Sequence, residues 1–270
     1  MRATSQAAVD RALERWEPVL HEVGAGAAAL GEELFAVVDL LDGAPRLRRA
    51  LTEPTRDGAA KARLAGQVLG GKVAPEVVDL LGGLVRERWS DDGDLPDAVE
   101  RLAVTSVLAA ADRAGRLADV EDETFRLGRV LAEARELRLA LADRTAGADR
   151  RAGLMAAVIA GKVAPETEVL AVRAARAPRR PVTAALRLVT EAAAERRQHL
   201  VAAVTAAVPL SREQVQRLAA VLGRRYGRPV RVHVGIAPEV VGGLRVQVGD
   251  DVVDGTLAAR LADARRRLVR

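Results

Sequence analysis

The sequence predicts a mainly α-helical protein. Two antiparallel helical bundles, over residues 1–92 and 93–198, precede a small α+β domain of order β-α-β-β-α over 199–270. Three observations carry this reading. The hexapeptide GKVAPE stands at 71–76 and again at 161–166. Apolar residues recur at three- and four-residue steps through most of the first two hundred positions, the period of a one-faced helix. Near residue 200 the period changes to two, the period of a half-buried strand.

The repeat extends well beyond the hexapeptide. LRRALTEPTRDGAAKARLAGQVLGGKVAPE at 47–76 aligns without a gap on LRLALADRTAGADRRAGLMAAVIAGKVAPE at 137–166, a shift of 90. Upstream, Glu33, Phe35, Leu41 and Ala44 fall on Glu123, Phe125, Leu131 and Ala134. A unit of this length, duplicated, is one bundle copied. Within it Leu34, Val37, Val38 and Leu41 form one apolar stripe. Leu64, Val68 and Leu69 form a second, repeated as Leu154, Val158 and Ile159. Val77, Leu80, Leu81, Leu84 and Val85 form a third. Turn signals at 43–45, 70–71, 91–96 and 178–181 separate the helices.

GKVAPE itself invites a phosphate-loop reading, because a glycine precedes a lysine. The helical context gives a different one. Gly71 and Gly161 stand where a helix stops and the backbone turns left-handed. Lys72 and Lys162 lie at the negative end of that helix. Pro75 and Pro165 suit the first turn of the next helix, where the missing N–H is not needed. Glu76 and Glu166 suit its positive start. A phosphate loop requires a hydroxyl residue after the lysine to reach magnesium, and valine stands there.

In the last third, Leu200–Val208 reads as an alanine-rich strand. Ser211, with Gln214 three residues on, is a capping box opening a helix whose buried side is Leu218, Val221 and Leu222. Val230, Val232 and Val234 alternate, as do Leu244, Val246 and Val248. A short Val252–Val253 segment, an Asp254-Gly255 turn and a final helix over 256–268 complete the domain.

Composition narrows the function. The chain has 270 residues, 49% hydrophobic, with only Trp16, Phe35, Trp89, Phe125 and Tyr226 aromatic. Alanine, leucine and valine must therefore fill the core. The absence of cysteine removes disulfides and thiol chemistry. His21, His199 and His233 are too scattered for a metal site. No apolar run approaches the ~18–20 residues of a membrane span, and the charged N-terminus lacks a signal-peptide core. A soluble, cytoplasmic protein is expected.

The net charge of +5 is polarised: −6 over residues 1–100, +4 over 101–180 and +7 over 181–270. That basic end raises an alternative, a helical nucleic-acid-binding protein. Against it, Tyr226 alone lies among Arg224, Arg225, Arg228 and Arg231, too little aromatic surface for base stacking. An enzyme is a third possibility. The carboxylate pairs Glu32-Glu33, Asp91-Asp92 and Asp250-Asp251 are of a kind that at turns or helix starts is usually solvated or capping, and no nucleophile, histidine and acid stand together at a recognised spacing.

Two stretches, VTAAVPLSREQ at 204–214 and VVGGLRVQVGDDVVDGTLAARL at 240–261, carry a family resemblance. They are similar to the δ subunit of bacterial F-type ATP synthases, relatives of the mitochondrial oligomycin-sensitivity-conferring protein. The bundle preceding them, including LALADRT at 139–145, resembles that family's N-terminal domain; residues 1–100 look like an extra upstream copy of it. The resemblance implies a non-catalytic stator subunit without cofactor, metal or small-molecule substrate. Its bundle would hold N-terminal helices of the α subunits, and its C-terminal domain the end of the b subunit, at the cytoplasmic face of the plasma membrane. It singles out the turn residues Gly242, Gly243, Gly249, Asp250, Asp254 and Gly255 as structural or b-subunit contacts.

Overall fold

The computed structural model describes residues 2–177, 180–198, 200–227, 230–237, 242–248 and 251–254. The chain divides into two units, Met1–Ala194 and Glu195–Arg270. The first is helical: α1 (Ala3–Val23), α2 (Ala27–Gly43), α3 (Pro45–Thr52), α4 (Gly58–Leu69), α5 (Pro75–Leu84), α6 (Asp94–Arg113), α7 (Leu117–Glu133), α8 (Arg135–Ala142), α9 (Ala148–Ile159), α10 (Pro165–Arg176) and α11 (Val182–Gln198), whose last turn runs into the second unit. Moved by 90 residues, α2, α3 and α4 fall on α7, α8 and α9 end to end, and α5 starts where α10 starts.

Local chemistry explains these boundaries. Proline opens α3, α5 and α10. Asp57 caps α4, its Oδ2 accepting the Ala60 N–H at 2.9 Å. Gly71 and Gly161 adopt φ of 73° and 68°, so each GKVAPE ends one helix and starts the next. Side chains then fix each junction the same way twice. Glu33 Oε2 accepts the Ala74 N–H at 2.7 Å, and Glu123 Oε2 accepts the Ala164 N–H at 2.9 Å. Arg48 Nη1 donates to the Leu41 carbonyl at 3.3 Å, and Arg138 Nη1 to the Leu131 carbonyl at 2.8 Å. The duplication is thus one of interactions as well as of helices.

Helix α6 holds the unit together. Thirteen of its 20 residues are buried, including Leu95, Val99, Leu102, Ser106 and Val107. It packs against α1 and α2 and also against α7 and α10. On α1, Trp16 Nε1 donates to Ser106 Oγ at 2.8 Å. The contact with α2 is made close by Gly31, where a β-carbon would lie 2.7 Å from Val107 Cγ2 and 3.1 Å from the Ala103 carbonyl oxygen. Gly31→Val is therefore expected to destabilise the protein by about 1–3 kcal/mol through overpacking. Urea unfolding would show it as a lower midpoint at unchanged slope. A second core of Leu127, Leu131, Leu141, Met155, Ile159 and Leu186 lies among α7 to α11.

The second unit contains β1 (Leu200–Ala206), α12 (Arg212–Tyr226), β2 (Val230–Ile236), β3 (Leu244–Val248) and β4 (Asp251–Asp254). The sheet order is β2-β1-β3-β4. β1 runs parallel to β2 and antiparallel to β3, which pairs antiparallel with β4. The alanines of β1 are explained by this position. Flanked by two strands, it is held by ladder bonds on both sides, and Ala202, Val204 and Ala206 are buried. The expected capping box is present, Ser211 Oγ accepting the Gln214 N–H and Gln214 Oε1 the Ser211 N–H. The Val252–Val253 segment forms a fourth strand by pairing with Val246 and Gln247. The helix expected over 256–268 lies outside the described residues.

Candidate functional site

Of the six turn residues singled out in the C-terminal region, the structure describes three. Gly242 and Gly243 take positive φ, 61° and 94°, and lead directly into β3, a backbone path that side-chain-bearing residues rarely follow. Asp254 pairs in register with Arg245, at the start of β3. Gly242, Gly243 and Asp254 are therefore brought to one end of the β3–β4 pair. Gly249, Asp250 and Gly255 lie outside the described residues.

In the helical unit, charged side chains fasten the end of α10 to α2 of the first copy and to α6. Arg173 of α10 is buried, with Nη1 2.5 Å from Asp39 Oδ1 of α2 and its guanidinium 5.0 Å from the centre of the Phe35 ring. Its Nε is 3.9 Å from Glu100 of α6. Arg176 reaches Asp39 at 3.3 Å. Arg180 reaches Asp97 and Glu100, both at 3.3 Å. Three arginines at or just beyond the end of α10 thus meet three carboxylates of α2 and α6.

The two GKVAPE junctions differ in use. Glu166 is buried and forms a two-pronged ion pair with Arg116, Nε to Oε2 at 3.0 Å and Nη2 to Oε1, whereas Glu76 is exposed. The hydrogen bond from Arg116 is the main cause that lowers the Glu166 pKa from its ordinary value, against the opposing effect of burial. A carboxylate with a lowered folded-state pKa stabilises the fold above its unfolded pKa, and that stability is lost as pH falls through the lowered value. Glu166→Gln is therefore expected to melt below the parent at neutral pH. The difference should close as the medium is acidified below the ordinary carboxylate range, in thermal melts recorded across pH.

Neither lysine lies in a phosphate cradle. Lys162 Nζ donates to the Val158 carbonyl at 2.9 Å, tying off the end of α9. Lys72 lines an open groove with Glu33, Gly71, Val73 and Val78, but the Glu33 carboxylate there already accepts the Ala74 N–H and would oppose an anion. Among the described residues, no group of three or more histidines and carboxylates is placed to hold a metal ion. No described helix is long and apolar enough to cross a membrane.

Apolar exposure is uneven. Among the described residues of the helical unit, the large apolar side chains more than a third exposed are Phe125, Val130, Leu139 and Leu188 in the second copy, against Leu40 in the first. Sequence reasoning matched Phe125 to Phe35 without distinguishing them, because what separates them is tertiary: Phe35 is covered by Arg173, and Phe125 is open.

Comparison with known proteins supplies the family. The model for the ATP synthase delta (OSCP) subunit matches residues 99–268. The "ATP synthase subunit delta" of Beutenbergia cavernae is 55% identical over 269 residues, covering 99% of both chains. That of Streptomyces griseus subsp. griseus is 46% identical and that of Thermobifida fusca 41%, each over 269 residues and 99% of both chains. The upstream copy is thus included in these alignments, although the family model begins inside α6. A chain of the mitochondrial ATP synthase hexamer of Toxoplasma gondii covers 62% of this chain and 95% of its own at 20% identity, with a TM-score of 0.27, too slight a likeness to carry an argument. With the full-length relatives and the family match over its second bundle and α+β unit, the chain belongs to the ATP synthase delta (OSCP) subunit family and is a component of the F-type ATP synthase complex.

Proposed function

We propose that the chain is a non-catalytic peripheral-stalk (stator) subunit that links the catalytic head to the b subunit during proton-driven ATP synthesis. In this reading its parts are residues 1–92, 93–198 and 199–270. The bundles hold N-terminal helices of the α subunits, and the α+β unit holds the end of b, with Gly242, Gly243, Gly249, Asp250, Asp254 and Gly255 shaping that contact. The work is done at the cytoplasmic face of the plasma membrane, peripherally and without cofactor or nucleic acid.

The observation that carries this reading is the exposed apolar surface of the second bundle, in a family whose members are synthase subunits. A helix docks on a bundle through apolar anchors on one face, and such a bundle exposes more apolar surface than its own core needs. Two linked grips, one in each unit, would raise the effective concentration of each partner and slow its release. The test is affinity capture from detergent-solubilised membranes with the tagged full chain, followed by mass spectrometry. The α, β and b subunits are expected together. Capture of nucleic acid without any synthase subunit would overturn the proposal.

A further inference from the structure

The repeat shows what the second bundle is missing. The face that α2 of the first copy makes with α6 is covered: Arg173 of α10 lies over Phe35, and Arg173, Arg176 and Arg180 pair with Asp39, Asp97 and Glu100. A shift of 90 residues carries α2 onto α7 and most of α6 onto α11. Those two helices also meet, through the Thr124–Thr190 hydroxyl contact at 2.9 Å and the core shared by Leu127, Leu131, Val182 and Leu186. Yet this second face is open. Phe35 is 6% exposed and its counterpart Phe125 56%; Ala98 is 0% exposed and its counterpart Leu188 43%. The copy that would supply the next covering helix does not exist, because the chain passes from α11 into a strand.

At the positions whose carboxylates meet α10, the charge is reversed or lost. The positions of Asp39 and Asp97 are taken by Arg129 and Arg187, and that of Glu100 by Thr190. Among the described residues, Arg129 and Arg187 pair only with Glu133 and Glu191 of their own helices, at 3.8 and 3.7 Å, with side chains 70–76% and 63–72% exposed. Pairs so exposed hold weakly and exchange readily for a better partner. We infer that the α7–α11 face, with Phe125 and Leu188 at its centre, receives an acidic amphipathic helix of another synthase subunit, seated as α10 is seated on α2 and α6. The carboxylates of that helix meet Arg129 and Arg187, reversing the polarity of the contact within the chain. A second copy of this chain is disfavoured, since its α10 would bring arginine against arginine. So is the chain's own C-terminal part, since residues 181–270 carry +7.

This inference rests on the stator reading, and one experiment separates the two. Phe125 is replaced by photoreactive benzoylphenylalanine in the full chain, assembled into the synthase in native membranes. After irradiation, cross-linked peptides are identified by mass spectrometry. The expected product joins position 125 to a carboxylate-bearing helical segment of another synthase subunit. Its yield should fall at least tenfold in the Arg129→Glu/Arg187→Glu variant, whose exposed changes leave the core intact and the chain folded, as circular dichroism would show. Cross-linking only within the chain, to a second copy or to a basic segment, or a yield indifferent to charge reversal, would overturn the inference while leaving the stator reading standing. Failure of the unsubstituted chain to recover any synthase subunit would sink both.

Discussion

Leu102→Ala is expected to destabilise the helical unit by about 2–5 kcal/mol, the range for removing a large side chain from a site that cannot collapse. Leu102 is fully buried in the middle of α6, within the core that α6 shares with α1 and α2. Because α6 also packs against α7 and α10, loss of its position removes support from both copies. Tryptophan fluorescence reports the first copy through Trp16, which is hydrogen-bonded to α6. Circular dichroism reports the helices of both. In denaturant the two midpoints are expected to fall together. A fluorescence transition displaced to lower denaturant, with a separate later loss of helix, would show that α6 does not couple the copies.

Arg151→Met is expected to cost about 3 kcal/mol, for a different reason. Arg151 is buried, and its guanidinium donates to four backbone carbonyls: Ala175 at 3.1 Å, Arg176 at 3.2 Å, Ala146 at 2.6 Å and Asp143 at 3.4 Å. Two of these belong to the last turn of α10, where helical carbonyls lack partners of their own. The other two belong to the chain between α8 and α9. Methionine fills the space but leaves those acceptors without the charged donor, and such losses exceed the net value of any single bond. Lysine stands at the corresponding place in the first copy. Lys61 is also buried, and burial lowers its pKa from the ordinary lysine value. Arg151→Lys should therefore recover part of the loss but not all, since one ammonium cannot reach what a planar fork reaches. Denaturation midpoints of the three proteins test the order, and equal midpoints for the parent and Arg151→Met would refute it. Amide hydrogen exchange should quicken first at the end of α10.

Much of the fold was legible because its determinants are local. Gly71 with Pro75, and Gly161 with Pro165, mark helix ends by backbone preference alone. Ser211 with Gln214 marks a helix start by side-chain length. The 90-residue shift transferred each reading from one copy to the other. What escaped was set by packing. The repeat places the start of a copy just before α6, and nothing in its spacing reveals that α6 also lies against α1 and α2. The alanines of β1 weaken its strand pattern, and its identity is settled by the ladders on either side of it. The exposed face followed the same logic. Phe35 and Phe125 are the same residue at the same place in the repeat, and only the presence of a neighbouring helix buries one and leaves the other open. Of the proposed turn contacts, the Gly242-Gly243 pair was readable from composition. The common end it shares with Asp254 came from strand register.

The double membership of α6 has a mechanical consequence. Two bodies joined by a loop bend at the loop, which is the softest element in the series. Here the element common to both bundles is a helix of 20 residues, about 30 Å long at 1.5 Å per residue. It is gripped along its length by neighbours from each. A load applied to one bundle passes to the other through a hydrogen-bonded rod and through the ion pairs of Arg173 and Arg176 with Asp39 beside it. The duplicated pair should therefore behave as a single beam, and elastic compliance in this part of the chain must be sought at its ends.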